Sequence, residues 1–208
     1  MTSAAIRAAL ADAANHLVML AAAVPAGAWS NPGLGEWTVR DLTGHAARGL
    51  LTIEQYLESA ASGKPEIASP ASYFLKALAS GDKATLNANV AQRGREAGAA
   101  LGADPAAEVR SIAARVLQKV ESAPDDTVFP TAAGTMRLID YLPTRIFELT
   151  IHSLDLAAAL ASPDQPPRSA LAVTLDLASK LALEQSRAGD ALLALTGRRH
   201  LPDGYSIL

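Results

Sequence analysis

Residues Arg145–Leu160 read RIFELTIHSLDLAAAL, and this stretch decides what kind of fold the chain can have. At about 100° of turn per residue, Arg145, Glu148, His152 and Asp155 fall within about an 80° arc of one helix. Ile146, Phe147, Leu149, Ile151, Leu154, Leu156 and Leu160 cover nearly all the rest. An ordinary surface helix gives about half its circumference to water. Here the proportion is inverted, so the helix belongs largely inside a bundle and carries a narrow polar stripe. Two readings of the stripe are open: it is the helix's one exposed face, or it looks inward onto a polar site between helices.

Working outward, helical periodicity recurs along the chain. Ile6, Leu10, Ala13, Leu17 and Leu20 lie at i, i+4, i+7, i+11 and i+14, which predicts a helix from about Ser3 to Val24, ended by Pro25 and Gly27. Thr38 and Asp41 have capping-box spacing, with Asp in place of Glu. They open a second helix to about Ser62, with Gly63 as its stop. Ala71–Leu101 reads as helix broken near Ser80-Gly81-Asp82. Asp104-Pro105 starts the next helix, which runs to about Ser122. Thr127–Met136 breaks the pattern as a loop or short extended piece. The polar-striped helix spans about Leu138–Ala161, with Pro143 near its first turn or kinking it. After a Pro-rich linker come helices over Arg168–Arg187 and Ala191–Leu195 and an irregular tail. The expectation is an all-α, single-domain protein over 1–208, with the bundle at about 1–161 and C-terminal helices and tail at about 167–208.

Composition agrees and removes several functions. Ala (45 residues) and Leu (29 residues), both strong helix formers, supply over a third of the 208 residues. Lys and Arg number 18 against 21 Asp and Glu, so there is no basic excess for a nucleic-acid backbone. Cysteine is absent, which excludes disulfides, thiolate nucleophiles and Cys-ligated metals; any thiol chemistry needs a thiol brought by a cosubstrate. Leu17–Ala28 has the look of a signal-peptide core, but Asp12 and a lone Arg7 precede it rather than a cationic leader. No apolar run reaches the roughly 18 residues of a membrane span. A cytoplasmic protein is expected, and its Ala- and Leu-rich helices leave room for a homodimer face, although no heptad seam marks one.

Glu148 and His152 are four residues apart, so their side chains stack on one helix face, a spacing that lets a carboxylate and an imidazole share a metal ion. A third ligand must come from a facing helix. His45 is the candidate, in a stripe with Asp41, Arg48 and Thr52 on the second helix; the plainer reading is a half-exposed, hydrogen-bonded border histidine. His16, near the apolar stripe of the first helix, and His200 in the tail read as structural.

The segment Gly35-Glu36-Trp37-Thr38-Val39-Arg40-Asp41-Leu42-Thr43-Gly44-His45 resembles the Trp-Thr-Val-Arg-Asp-Leu…His motif of the mycothiol-dependent maleylpyruvate isomerase family, part of the DinB-like superfamily of metal-binding four-helix bundles. Arg145-x-x-Glu148-x-x-x-His152-x-x-Asp155-Leu156 resembles that family's second motif. Gly134–Leu138 and Leu195–Arg198 are also similar to it. The resemblance implies a DinB-like four-helix bundle with additional C-terminal helices. It implies a divalent metal, zinc first with nickel or iron as alternatives, held by His45, Glu148 and His152 with one position open. It also implies mycothiol as thiol cosubstrate and a small electrophile as second substrate. Arg145 and Asp155 flank the ligand pair, to orient the imidazole or bind a carboxylate or, more plainly, to form a local ion-pair stripe. Arg198, with Arg199, would fold over the site to hold an anionic cosubstrate, or is solvated tail charge. Trp37 is expected to pack beneath the second helix. The function so implied is a metal-dependent thiol transferase or isomerase. The alternative from another class is a non-catalytic metal- or ligand-binding stress-response bundle, and a metal-dependent hydrolase ranks last.

Overall fold

The computed structural model describes residues 1–60, 63–79 and 83–208, the side chains of 83–87 excepted. Its elements are α1 (Ser3–Ala23), α2 (Val39–Glu58), α3 (Pro70–Leu78), α4 (Lys83–Ala100), α5 (Pro105–Ser122), β1 (Val128–Thr131), β2 (Gly134–Arg137), α6 (Leu138–Ala159), α7 (Arg168–Glu184) and α8 (Ala188–Leu195). Among the described residues the chain is all-α apart from one antiparallel hairpin, in which Val128 pairs with Arg137 and Thr131 with Gly134, and an isolated bridge between Pro32 and Thr38.

Four helices close a ring: α1 packs on α5 and α6, and α2 packs on the same two. Leu10, Leu17 and Leu20 from α1, Leu42, Leu50 and Ile53 from α2, and Leu142, Ile146 and Leu149 from α6 are fully buried within it. Burying a side chain of this size stabilises by about 1.5–3 kcal/mol, so these nine positions drive the assembly. One helix does have the length and mean hydropathy (1.2) of a membrane span, α1. Its leucines are spent on the bundle core rather than on a lipid-facing surface.

Two further helices clad the ring. α7 lies against α1, α3 and α6, while α4 lies against α2. The α2–α4 contact is unusually close because both helices lack side chains where they cross. A Cβ on Gly44 would strike the backbone of Gly98, and one on Gly98 would come 2.8 Å from the Asp41 Cα. The pair is antiparallel: the Arg40 guanidinium donates to the carbonyls of Gly98 (2.8 Å) and of Gly102, just past the end of α4, while Gly44 meets Gly98.

Start signals match the sequence closely. Thr38 Oγ1 accepts from the Asp41 amide and Asp41 Oδ2 from the Thr38 amide, both at 3.1 Å, completing the capping box. Asp104 caps α5, with Pro105 at its first position. The stop signals differ. α2 ends at Glu58, before the expected Ser62, which lies outside the described residues, as does the break expected at Ser80-Gly81-Asp82. α7 ends at Glu184 rather than Arg187 because Ser186 turns left-handed (φ 58°) and the Arg187 amide bonds back to the Ala182 carbonyl at 2.7 Å. Ala161 (φ 50°) ends α6 the same way, the Ser162 amide reaching the Ala157 carbonyl. Such closures usually use glycine, so neither was marked in the sequence. Pro143 sits inside α6 rather than in its first turn, leaving the Ile139 carbonyl without its helical donor.

Candidate metal centre

The capping box fixes where α2 begins and so places His45 two turns in, on the side facing α6. Gly49, one turn later, faces α6: a Cβ there would sit in ordinary contact with Leu149 (3.5 Å) and the Glu148 Cβ (3.9 Å). The polar stripe of α6 therefore looks inward. His45, Glu148 and His152 converge so that one ligating atom from each lies within 4.8 Å of the others. His152 Nε2 is 3.4 Å from Glu148 Oε2, and the His45 and His152 rings meet edge-on with centroids 4.6 Å apart. The side chains of His152 (15% exposed) and Glu148 (25% exposed) remain reachable from solvent.

Asp155 lies against the His152 ring, a contact that fits either an orienting partner or a local ion-pair stripe. His152 Nδ1 lies 3.1 Å from Asp155 Oδ2, and because a carboxylate only accepts, Nδ1 is the donor. That turns Nε2 toward Glu148 and His45, the carboxylate–imidazole arrangement common behind metal-bound histidines.

Arg145 makes no hydrogen bond or ion pair with His152, Glu148 or Asp155 among the described residues; it is 8% exposed, with its guanidinium 4.8 Å over the Tyr141 ring and 5.6 Å from that of Tyr73. Its Nε donates to Thr144 Oγ1 at 3.0 Å. The helical wheel placed it correctly on the stripe but could not show that α3 brings Tyr73 over it. Arg198 follows α8, where it donates to the Thr196 carbonyl at 3.4 Å, and Arg199 pairs with Asp190. No contact among the described residues joins either arginine to the three-residue cluster. His16 is buried in the core, as expected, and His200 is exposed in the tail.

Trp37 is buried and packs under α2, donating from Nε1 to the Ala91 carbonyl (3.0 Å). It also forms a wall of the site, its ring 4.5 Å from that of His45. Gly94 makes room for it, since a Cβ there would lie 2.5 Å from the indole. The glycine spacing of four in α4 was the available sequence signal for this close-packed face.

Electrostatics separates the two imidazoles. Burial, then the positive charge of His152, pushes His45 down to about 4, so it is neutral with both lone-pair chemistry and ligation open to it. Burial alone would lower His152, but hydrogen bonds to Asp155 and Glu148 raise it above the ordinary histidine range. Burial would likewise raise Glu148, yet His152 and the Arg145 charge hold it below the carboxylate range. With no ion bound, His152 is thus the cation held between the Glu148 and Asp155 carboxylates, and a metal ion would take that place by displacing its proton.

The donors fit a metal ion. His45 Nδ1 is buried with no hydrogen-bond partner, an orphan that costs about 1–3 kcal/mol unless something pairs with the ring. Two imidazoles and a carboxylate with one side open is the donor set of catalytic zinc sites. Donors about 2.0–2.2 Å from one ion stand about 3.3–3.6 Å apart, so closing the cluster asks for side-chain shifts of about 1 Å. A shallow hollow of about 420 Å³ elsewhere, lined by Trp29, Thr38 and Arg40 among others, contains none of the three residues.

A helical bundle whose facing helices bring two histidines and a glutamate to one point has the architecture on which inter-helix metal sites are built. Residues 10–157 match the family model of the mycothiol maleylpyruvate isomerase N-terminal domain, and the chain belongs to that family. The matched span runs from α1 to α6 and includes the whole cluster. No curated protein and no solved structure matches the chain.

Proposed function

We propose that the protein is a zinc-dependent, cytoplasmic thiol transferase or isomerase that uses mycothiol or a related small thiol against a small electrophile. The observation that carries this reading is the inward-facing cluster of His45, Glu148 and His152, with one ring nitrogen orphaned, in a chain of this family and without a cysteine. His45, Glu148 and His152 would hold the ion, nickel or iron being the other candidates. The metal supplies the acidity that turns a bound thiol into a nucleophile near neutral pH. Asp155 holds the His152 ring with Nε2 forward. Arg145 balances the Glu148 charge from behind, and Trp37 keeps water from the far side of His45. The open side leaves room for thiol and electrophile to meet.

The test is elemental analysis of the full chain purified without an affinity tag, beside His45→Ala. About one zinc per chain, lost in the variant, is expected, together with metal-dependent consumption of mycothiol thiol over a panel of small electrophiles. Metal-dependent stability with no thiol consumption would reassign the protein as a metal-binding module. Absence of metal after reconstitution would overturn the site.

A further inference from the structure

The antiparallel register of α2 and α4 has a second consequence beside the cluster. Gly44 meets Gly98, so one turn further along α2 and one turn back along α4 Arg48 stands level with Gly94 and Arg93. Arg48 is half-buried and Arg93 exposed. Neither guanidinium has a carboxylate within ion-pair distance or a hydrogen bond to any described residue. The flanking Arg95 and Arg40, by contrast, bond to Glu36 and to α4 carbonyls. The carboxylate of Glu96, on the same side, accepts from Gln92 instead. Burial and the facing Arg93 charge both lower the Arg48 pKa, as expected of a desolvated cation beside another cation. Gly94 packs against the Trp37 indole, whose ring lies 4.5 Å from that of His45, so the Arg93–Gly94 turn of α4 borders the cluster, as does Arg48, one turn from His45 on α2. In a chain of formal charge −3, Arg48 meets the charges of Arg93 and Arg145 against that of Glu96, and Arg145 that of Glu148, a local excess of cations. A dication on the cluster would leave the spot net positive.

We propose that Arg48 and Arg93 form an anion subsite beside the cluster, which takes the carboxylate of a small molecule whose other end reaches His45, Glu148 and His152. Two guanidiniums with free N–H groups suit a planar carboxylate, and a ligand anion would relieve the repulsion between them. Arg145 lies too deep under Tyr73 and Tyr141 to share in it and supplies field only. The assignment rests on the cluster being a ligand-binding metal site, and the experiment separates the two claims.

Calorimetry with succinate and its neutral counterpart succinamide, on the full chain in zinc-loaded and metal-free forms, reads the subsite directly. Succinate should bind at least about tenfold more tightly than succinamide, as expected for charge-assisted hydrogen bonds, and added salt should weaken it. Arg48→Met and Arg93→Met should each erase the preference while keeping wild-type helicity and zinc content; Arg48→Lys should restore part of it. Equal binding of acid and amide, or a preference that survives both Met variants, overturns the subsite. A preference seen in a chain that takes up no metal keeps the subsite and overturns the metal reading instead. Cobalt-loaded protein titrated with 3-mercaptopropionate and 3-mercaptopropionamide, followed by thiolate-to-cobalt absorption, identifies the carrier. An acid preference lost in the Met variants places the carboxylate on the thiol; equal affinity there, with the succinate preference intact, places it on the second substrate.

Discussion

Near the C-terminal end of α2, Glu54 accepts from Arg115 through both oxygens (2.8 and 3.0 Å), and Lys119 ties it to Glu58. About two turns earlier on the same helix, Arg48 has no carboxylate to bond and His45 keeps a nitrogen unpartnered. At the Glu54 end, charges from α2 and α5 neutralise one another and need nothing more. At the His45 end, α4 and α6 bring cations, carboxylates and imidazoles together with valences left over. Charge completed within the chain stabilises; a polar or charged group left incomplete at a half-buried place costs stability unless a ligand completes it.

The sharpest way to break this contrast is at the ligands. His152→Ala should lower metal affinity by at least about a hundredfold, more than loss of a group that merely supports a ligand. Zinc remaining per chain after dialysis against a weak chelator reads it directly, and retention of one equivalent would mean that the cluster is only an ion-pair stripe. Asp155→Asn, which keeps the shape but removes the charge that Nδ1 faces, should cost about 10–100-fold in the same assay. A change at Asp155 with no effect on metal would leave its contact with His152 a local pairing.

Much of this was legible in the sequence because it depends on local chemistry. Thr38 with Asp41 announces where α2 starts, and that start sets the face of His45. Glu148 and His152 share a face by arithmetic alone. What was not legible depends on partners far along the chain. Whether the stripe of α6 turned inward depended on how α6 packs on α2, where Glu148 and Leu149 face Gly49. The cover that α4 makes over the site depends on Gly44 and Gly98 coinciding across a long separation, and the burial of Arg145 on Tyr73 arriving from α3. Ser186 ends α7 in a left-handed conformation that composition gives no reason to expect.

A smaller effect sharpens the other half of the comparison. Hydrogen bonds from Arg115, and then from Lys119, hold Glu54 down to about 2. Its folded pKa is thus depressed below the ordinary value of about 4.3. The stability it contributes is fully present above that value and is lost as pH falls from about 4.5 toward 2. Because Arg115 (43% exposed) and Lys119 (37% exposed) are open to solvent, the contribution should be about 1 kcal/mol. Urea unfolding of wild type and Glu54→Gln at pH 7, 4 and 2.5 should show that difference at neutrality, a smaller one at pH 4 and almost none at pH 2.5. A difference constant across the three would mean that Glu54 acts by packing and not by charge.

The last comparison reverses the sign. His45→Leu keeps an apolar side chain against Trp37 and removes the orphaned nitrogen, so nothing polar is left unpaired on that face. Replacing an unsatisfied buried group by an apolar one of similar size is neutral to favourable. The metal-free variant should therefore be as stable as wild type or more stable, by up to about 1 kcal/mol, while binding no zinc. Zinc should raise the melting temperature of wild type alone, since a ligand that binds only the native state stabilises it by mass action. If His45→Leu were instead less stable than metal-free wild type by 2 kcal/mol or more, His45 would be completing the core. The incompleteness that sets this end of α2 apart from the Glu54 end would then belong to Arg48 and Arg93 alone.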